Sequence, residues 1–428
     1  MEVELVTVGT ELLLGFTVDT NAAEIARALA AVGGRVTRHA TVPDEPTAVR
    51  SAVDEALGRS RFVVVTGGLG PTSDDLTKPA VAEIFGMSLE LDETYLRRLE
   101  ERFHQIRHRA MPPSNRSQAE VPRGATILPN ARGTAPGLVL EGPIGTAVLL
   151  PGVPGEMRQL LHEHVVPLVR ERVAASGRAV TIRSRTLRTT GITESGLADL
   201  LAPLEPGLEG VSIAYLPGWD GTDLRITTWD AAEVEAERTL AVADRRLLEA
   251  VGTYCYGEGE EDLAAVVLDA LRGRGRSLAV AESCTGGLVG ARLSAIPGAS
   301  EVFLGGVIAY SNAAKIRDLE VPEALIETEG AVSEATARAM AAGASSRFAA
   351  AAALSVTGIA GPGGGTPAKP VGTVWMAAVA DGRVAVQHRR FLGGRDEVRH
   401  RSAQAALDLL RQLLLRLQQQ EQEPTPAS

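Results

Sequence analysis

Short apolar runs that stop at glycine recur along this chain, and helical stretches follow them. Val3 to Val8 ends at Gly9, Phe62 to Thr66 runs into Gly67-Gly68-Leu69-Gly70, and Ser277 to Ala281 leads through Glu282-Ser283-Cys284-Thr285 to Gly286-Gly287. Strands that lack polar alternation are covered on both faces, and strands separated by helices pair in parallel, so the repetition dictates α/β layering. The first stretch shows a helix from Thr20 to Gly33, a strand from Val36 to Val42, a helix from Pro46 to Leu57 and the strand Phe62 to Thr66. A charged helix near Asp92 to Arg109, two short β runs ending at Leu149-Leu150-Pro151-Gly152 and a helix from Glu156 to about Val173 complete a domain over residues 1–173.

Beyond Ala174-Ala175-Ser176-Gly177 the pattern changes. A long β run (Val180 to Thr190), a short helix near Thr193, strands Val211 to Leu216 and Leu224 to Trp229, and a helix from Ala232 to Val251 predict a small α+β module over residues 178–252. Gly257-Glu258-Gly259-Glu260-Glu261 reads as a linker. A third domain, 258–420, returns to α/β alternation and ends on a helix from Glu397 to Leu417. The stripe Leu407, Leu410, Leu414 and Leu417 on that helix packs within its own domain or against a second copy, the former being the simpler account. The tail from Glu423 to Ser428 is expected to fray.

The 428 residues carry 43 Lys and Arg against 53 Asp and Glu, a formal net charge of −10, and only 4% aromatics. This disfavours a basic face for coating polyanions and a stacking platform for nucleic acid, which leaves small ligands as the expected partners. Two cysteines, Cys255 and Cys284, exclude a disulfide scaffold and a four-thiolate zinc site, and suit a reducing compartment. Glu2 and Glu4 before a short strand do not read as a secretory leader, and no apolar run reaches membrane-spanning length. A cytoplasmic location away from membranes is the expectation.

The turn Thr66-Gly67-Gly68-Leu69-Gly70-Pro71-Thr72-Ser73-Asp74-Asp75-Leu76-Thr77 lies where a parallel sheet binds ligands, past the carboxyl end of a strand. Its amides can approach an anion, and Asp74 with Asp75 can hold a hydrated divalent cation, Mg in the first instance, against phosphate oxygens. A tight turn with an Asp helix cap accounts for the same residues. The pattern places Thr7-Val8-Gly9-Thr10-Glu11, Asp19-Thr20-Asn21 and Pro151-Gly152-Val153-Pro154-Gly155-Glu156 at the same sheet edge.

In the third domain Ala279-Val280-Ala281-Glu282-Ser283-Cys284-Thr285-Gly286-Gly287 puts Ser283 and Cys284 on a strand-to-helix turn. Serine needs a base, and the domain's histidines, His388 and His400, lie outside recognisable loop motifs, which argues against a Ser-His-Asp arrangement. Lys315, at the end of Val307-Ile308-Ala309-Tyr310-Ser311-Asn312-Ala313-Ala314-Lys315, serves as base if burial lowers its pKa, with Tyr310 relaying the proton. A solvated helix lysine is the commoner fate of a lone Lys. Cys284 is either a small buried side chain or the nucleophile itself, and spacing does not choose between it and Ser283. A further loop, Ser355-Val356-Thr357-Gly358-Ile359-Ala360-Gly361-Pro362-Gly363-Gly364-Gly365-Thr366, again follows a strand and offers amides to a phosphate or oxyanion.

Together these motifs resemble the CinA family of competence/damage-inducible proteins. The GGLGPTSDD turn with PGVP is similar to the molybdopterin-binding fold, a three-layer α/β/α domain. AESCTGG, GGVIAYSNAAK and TGIAGPGGGTPAKPVGTV are similar to the family's nicotinamide-nucleotide amidohydrolase domain. The resemblance implies metal-dependent hydrolysis of ADP-ribose at its pyrophosphate by the first domain, with Gly67, Gly68, Gly70, Thr72 and Glu11 on substrate and Asp74 and Asp75 on metal. Asn115, Arg116 and Gln118 would contribute. Molybdopterin adenylyltransferases carry Arg-Asp where this chain has Asp74-Asp75, and the reversed charge favours the pyrophosphatase over a pterin clamp.

For the third domain the resemblance implies cofactor-free deamidation of nicotinamide mononucleotide to nicotinate mononucleotide with release of ammonia. Ser283 would attack, Lys315 and Tyr310 would manage the proton, and Thr285, Gly286, Gly287, Thr357, Gly358, Gly361, Gly363 and Gly364 would hold phosphate or oxyanion. A homodimer is implied as well. Two rival readings stand beside this one: a molybdopterin-type cofactor-binding protein, and a competence-related adaptor without catalysis.

Overall fold

The computed structural model describes residues 1–107, 110–176 and 180–422. The chain divides into two compact units, one of Met1–Arg183 with Thr228–Thr239, the other of Ser184–Thr227 with the chain from Leu240 onward.

In the first unit the strands lie in the order Arg35–Val42, Glu2–Val8, Phe62–Thr66, Gly145–Leu150, Gly137–Gly142, Thr126–Leu128. The first four pair in parallel and the last two join antiparallel. Alternation by twos sends Leu5, Val64, Val148 and Leu150 to one face, beneath Ile25 and Leu29 of the helix Thr20–Ala30 and Met157 of Pro154–Leu160. It sends Val6, Val63, Val65 and Leu149 to the other, beneath Val49 and Val53 of Pro46–Ser60 and Val81 of Thr77–Ile84. Three layers result, as expected. The chain leaves Glu2–Val8 first toward Arg35–Val42 and then crosses to Phe62–Thr66 on the other side. Reversal of direction at this pair opens a crevice past the strand ends, at Gly9 and Gly67. The helix expected to reach Arg109 spans Glu93–Arg107, and Arg109 lies outside the described residues.

The middle module has a four-stranded sheet in the order Val211–Pro217, Thr222–Ala232, Val180–Thr189, Cys255–Glu258. Leu197, Leu201, Leu240 and Leu247 from its two helices pack with Leu187, Leu224 and Ile226. Cys255–Glu258, whose Gly257 and Glu258 were expected to open a linker, is instead the edge strand: Gly257 pairs with Arg188 and Glu258 with Leu187, across a bulge after Cys255. Glycine and glutamate carry little β signal of their own. Here the partner strand supplies the backbone bonds, and glycine tolerates the bulge.

The third domain repeats the logic of the first. Its sheet runs Phe303–Ile308, Leu278–Glu282, Ala352–Gly358, Thr373–Ala380, Arg383–Arg390, the first three parallel and the last two antiparallel. Val280, Leu354 and Met376 face the helices Leu263–Gly273, Leu288–Ser294 and Arg395–Gln422, while Ala279, Ala281 and Ala353 face Asn312–Leu319, Glu323–Glu329 and Glu334–Phe348. From Leu278–Glu282 the chain goes to one side and returns on the other, so a second switch point falls just after Glu282. The final helix, Arg395–Gln422, extends beyond both ends of the expected span, and Leu407, Leu410, Leu414 and Leu417 are buried in its own domain's core. Among the described residues no helix is long and apolar enough to cross a membrane.

Leu410 is fully buried, so Leu410→Ala removes packing that the surrounding helices and sheet cannot refill. The expected loss is about 2–5 kcal/mol, read as a lower midpoint in a urea or thermal unfolding transition.

Candidate active sites

Ser283 is the first residue past Leu278–Glu282, the middle of the third domain's three parallel strands, and Glu282 fixes the turn that presents it. The Glu282 carboxylate, 2% exposed, accepts from the amides of Gly287 (3.0 Å), Val289 (3.0 Å) and Gly290 (2.8 Å). These are amides that the start of a helix leaves without backbone partners. The amide of Gly287, expected to serve substrate, is thus taken up by the protein. Glu282 was overlooked from sequence because it lies five residues before the N-cap glycine, outside the N-cap and N3 positions at which capping side chains are read.

Lys315 comes from the first turn of Asn312–Leu319, which Ser311 caps by accepting from Ala314 N. The lysine is 2% exposed, and its Nζ donates to Ser283 Oγ at 2.9 Å and to Ala309 O at 3.0 Å. Burial pushes its pKa below the ordinary lysine value, with a weaker opposing pull from the Cys284 thiol. Cys284 is buried too, and burial pushes its thiol up to about 12, so it stays protonated at neutral pH. Gly358 lies against it: a Cβ there would come within 3.1 Å of Cys284 Sγ. The amine therefore meets a serine hydroxyl, beside a buried thiol.

The rim carries two arginines that the sequence reading missed. Arg395 donates to Gly361 O at 2.7 Å and to the hydroxyl of Tyr310, a residue 57% exposed. Tyr310 is thus held by an arginine and not seen on the lysine. Arg399 donates to Thr285 O through Nε (3.3 Å) and Nη2 (3.1 Å). Both arginines sit in the opening turns of the final helix, where the macrodipole disfavours cations, and that placement was the available signal. Thr285 Oγ1 is buried without a hydrogen-bond partner among the described residues, whereas Thr357 Oγ1 already donates to Ala331 O at 2.7 Å. Gly286, Gly363 and Gly364 are exposed on their turns, and Gly361 is buried at the start of its loop.

In the first unit the three segments singled out from sequence converge. Gly67 N donates to Leu150 O (3.0 Å), Thr66 Oγ1 to Pro151 O (3.0 Å) and Asn21 Nδ2 to Gly152 O (2.7 Å). Gly67 has φ +108°, and a Cβ there would stand 2.1 Å from Val8 O, so the close approach of the two strand ends requires glycine. Asp75 turns inward on its own loop, accepting from Gly70 N (2.7 Å), Thr72 N (2.9 Å) and the Thr72 hydroxyl. Asp74 is exposed, and a hydrogen bond with Thr72, then one from its own amide, holds its carboxyl below the usual range. Gln118 reaches Leu69 O (3.5 Å) and accepts from Asn115 (2.8 Å), while Glu11 and Arg116 are exposed. Lys78, not foreseen, donates to Ser117 O, and burial lowers its pKa to about 8 against the pull of Glu120 and Asp75.

Among the described residues no group of three or more His, Cys, Asp or Glu is gathered to hold a metal. One exposed carboxylate beside one committed to its loop fits a hydrated ion only when substrate phosphates complete its shell, which is a usual Mg arrangement.

Three family models match the chain: "Probable molybdopterin binding domain" over residues 4–171, "Damage-inducible protein CinA KH domain" over 184–257 and "CinA C-terminal domain" over 260–414. A CinA-like protein of Gemmatimonas aurantiaca is 52% identical over 417 residues, covering 97% of both chains. A putative competence-damage inducible protein of Symbiobacterium thermophilum is 44% identical over 97% of this chain and 99% of its own. The crystal structure of competence/damage inducible protein CihA from Agrobacterium tumefaciens is 42% identical, covers 35% of this chain and 93% of its own, and aligns with a TM-score of 0.35.

The hydrogen bonds that Asp75 accepts make it a loop organiser. Asp75→Ala should lower stability by about 1–3 kcal/mol and speed amide exchange at Gly70 and Thr72, while Asp74→Ala leaves both unchanged. Hydrogen exchange read by mass spectrometry or NMR separates the two.

Proposed function

Because the chain belongs to the CinA family, we propose that its serine–lysine site deamidates nicotinamide mononucleotide to nicotinate mononucleotide and ammonia. The observation that carries this reading is the buried 2.9 Å contact between Lys315 Nζ and Ser283 Oγ at the topological switch point. Family resemblance supplies the substrate. A neutral Lys315 amine accepts the Ser283 hydroxyl proton as Oγ bonds to the carboxamide carbon and the carbonyl electrons move onto oxygen. The lysine ammonium then gives that proton to the amide nitrogen, the C–N bond breaks, and ammonia leaves a nicotinoyl ester on Ser283. Water attacks the ester, Lys315 takes its proton, the ester C–O bond breaks and Ser283 recovers its hydroxyl. Arg395 and Arg399 suit the nucleotide's phosphate, since guanidinium groups bind it by paired hydrogen bonds. No cofactor enters this scheme.

For the first site we infer hydrolysis of the pyrophosphate of ADP-ribose, a reading favoured over pterin binding by Asp74 standing exposed beside the loop amides. A divalent ion held by Asp74 with substrate oxygens would neutralise pyrophosphate charge. Lys78, with its lowered pKa, is the adjoining cation. Asp74→Ala should abolish metal-dependent release of AMP from ADP-ribose without touching deamidation. Binding of molybdopterin in place of ADP-ribose would overturn this reading, and a folded protein inactive on both nucleotides would leave the adaptor.

Ser283→Ala should lower ammonia release from nicotinamide mononucleotide at least about a thousandfold, and Cys284→Ala by less than about tenfold; the reverse ranking would move the nucleophile to Cys284. The rate should rise with pH through the depressed Lys315 value and level off below lysine's usual pKa of about 10.4, because only the neutral amine accepts a proton. The same shift means that the folded state binds fewer protons at Lys315 than the unfolded chain. Its contribution to stability therefore rises with pH between the two pKa values. Lys315→Met should remove that slope, abolish turnover, and leave thermal stability at pH 7 equal or higher.

A further inference from the structure

We propose that the hairpin tip Gly218-Trp219-Asp220-Gly221 of the middle module is a positioning element of the serine–lysine site, acting through the two helices that flank Ser283. The tip joins Val211–Pro217 to Thr222–Ala232 and is closed by Gly218 N donating to Gly221 O at 2.7 Å. Trp219 places its ring 5.0 Å from that of His400, centre to centre, at 47°. Asp220 Oδ1 stands 3.6 Å from Arg292 Nη1. Each contact lands beside the site. His400 adjoins Arg399, which grips Thr285 O, and Arg292 belongs to the helix Leu288–Ser294 that Glu282 anchors behind Ser283.

Arg292 gathers these parts. Its side chain is 14% exposed and also donates to Gln404 of the final helix and Asp262, both at 2.8 Å. A second tether lies three turns further along the final helix, where Arg411 donates to Thr253 O (2.5 Å) and Cys255 O (3.3 Å) and pairs with Asp408 at 2.7 Å. The module thus holds the final helix at two levels, and that helix carries Arg395 and Arg399.

The same four residues have the GxxG form with which KH domains clamp nucleic-acid phosphates. Here the string is a β-hairpin tip, its acid faces an arginine of the same chain, and its tryptophan rests on His400. An acid at that position repels phosphate. The contacts point inward, toward the deamidation machinery.

The proposal rests on the deamidation reading for its substrate, so one measurement of the test avoids substrate altogether. In the full-length protein Trp219→Ala should raise the KM for nicotinamide mononucleotide about tenfold with kcat within twofold, Asp220→Ala should do so more weakly, and Trp219→Phe should restore the wild-type value. In the unliganded protein the amides of Gly286 and Leu288, bonded to Ser283 O and Thr285 O, should exchange faster in Trp219→Ala at an unchanged global unfolding midpoint. Unchanged exchange at those amides, or a uniform rise across the whole chain, would overturn the positioning role. A wild-type protein that releases no ammonia would sink the deamidation reading alone, while the exchange result still decides the role of the tip.

Discussion

A lysine amine with 2% of its surface exposed is the constraint around which the third domain is arranged. Desolvation costs an ammonium far more than a neutral amine, so the group either gains a counter-charge or gives up its proton. The atoms that receive Lys315 are a hydroxyl and a carbonyl, and neither is charged. The carboxylate of the same turn, Glu282, is occupied by three amides of the helix that follows. By committing its acid to the helix, the fold leaves the amine next to the serine and inclined to be neutral. That is the state a base must have before it can work.

The two glycine-rich sites share more than topology. In each, a chain that reverses direction at a parallel strand opens a crevice, and in each an acid serves the loop: Asp75, which looked chemical in sequence, and Glu282, which was overlooked. Asp75 binds the amides of Gly70 and Thr72, much as Glu282 binds those of Gly287, Val289 and Gly290. What remains near each loop includes a lysine whose pKa burial lowers: Lys78, to about 8, and Lys315. A carboxylate inside a glycine turn has strong amides within reach and satisfies them first. Lys78 and Lys315, each in the opening turn of a helix, find only carbonyls and a hydroxyl among the described residues.

How much of this could be read from the sequence follows from how local each signal is. Runs such as Phe62 to Thr66 and Ala352 to Thr357 are apolar on both faces and end at glycine, so the central strands and both switch points were legible. Ser283 and Lys315 were legible as residue types on the right turns. Their contact was not, because it spans 32 residues and depends on how Asn312–Leu319 packs on the sheet. The choice between Ser283 and Cys284 was closed to spacing for the same reason, since burial decides a thiol's pKa and burial is a property of the whole domain. Cys255–Glu258 escaped because its strand character comes from its partner and not from its own residues.

Arg395 and Arg399 show how charge placement carries the logic of the site. Cations at the start of a helix oppose its dipole, and this helix offsets them with Asp396 and Glu397 in its first turn. Asp396 pairs with Arg399 at 3.2 Å, and Glu397 pairs with Arg401 at 3.3 Å and accepts from Gly394 N at 3.1 Å. Arg395 is treated differently: its partners on the site side are the Gly361 carbonyl and the Tyr310 hydroxyl, both neutral. A guanidinium whose site-side partners are all neutral has no counter-charge among them, and a phosphate dianion would supply one through paired hydrogen bonds. On the deamidation proposed above, substrate phosphate would supply the counter-charge that Arg395 lacks among these partners. A nucleotide and its dephosphorylated counterpart would then differ at Arg395 while offering the same amide to Ser283.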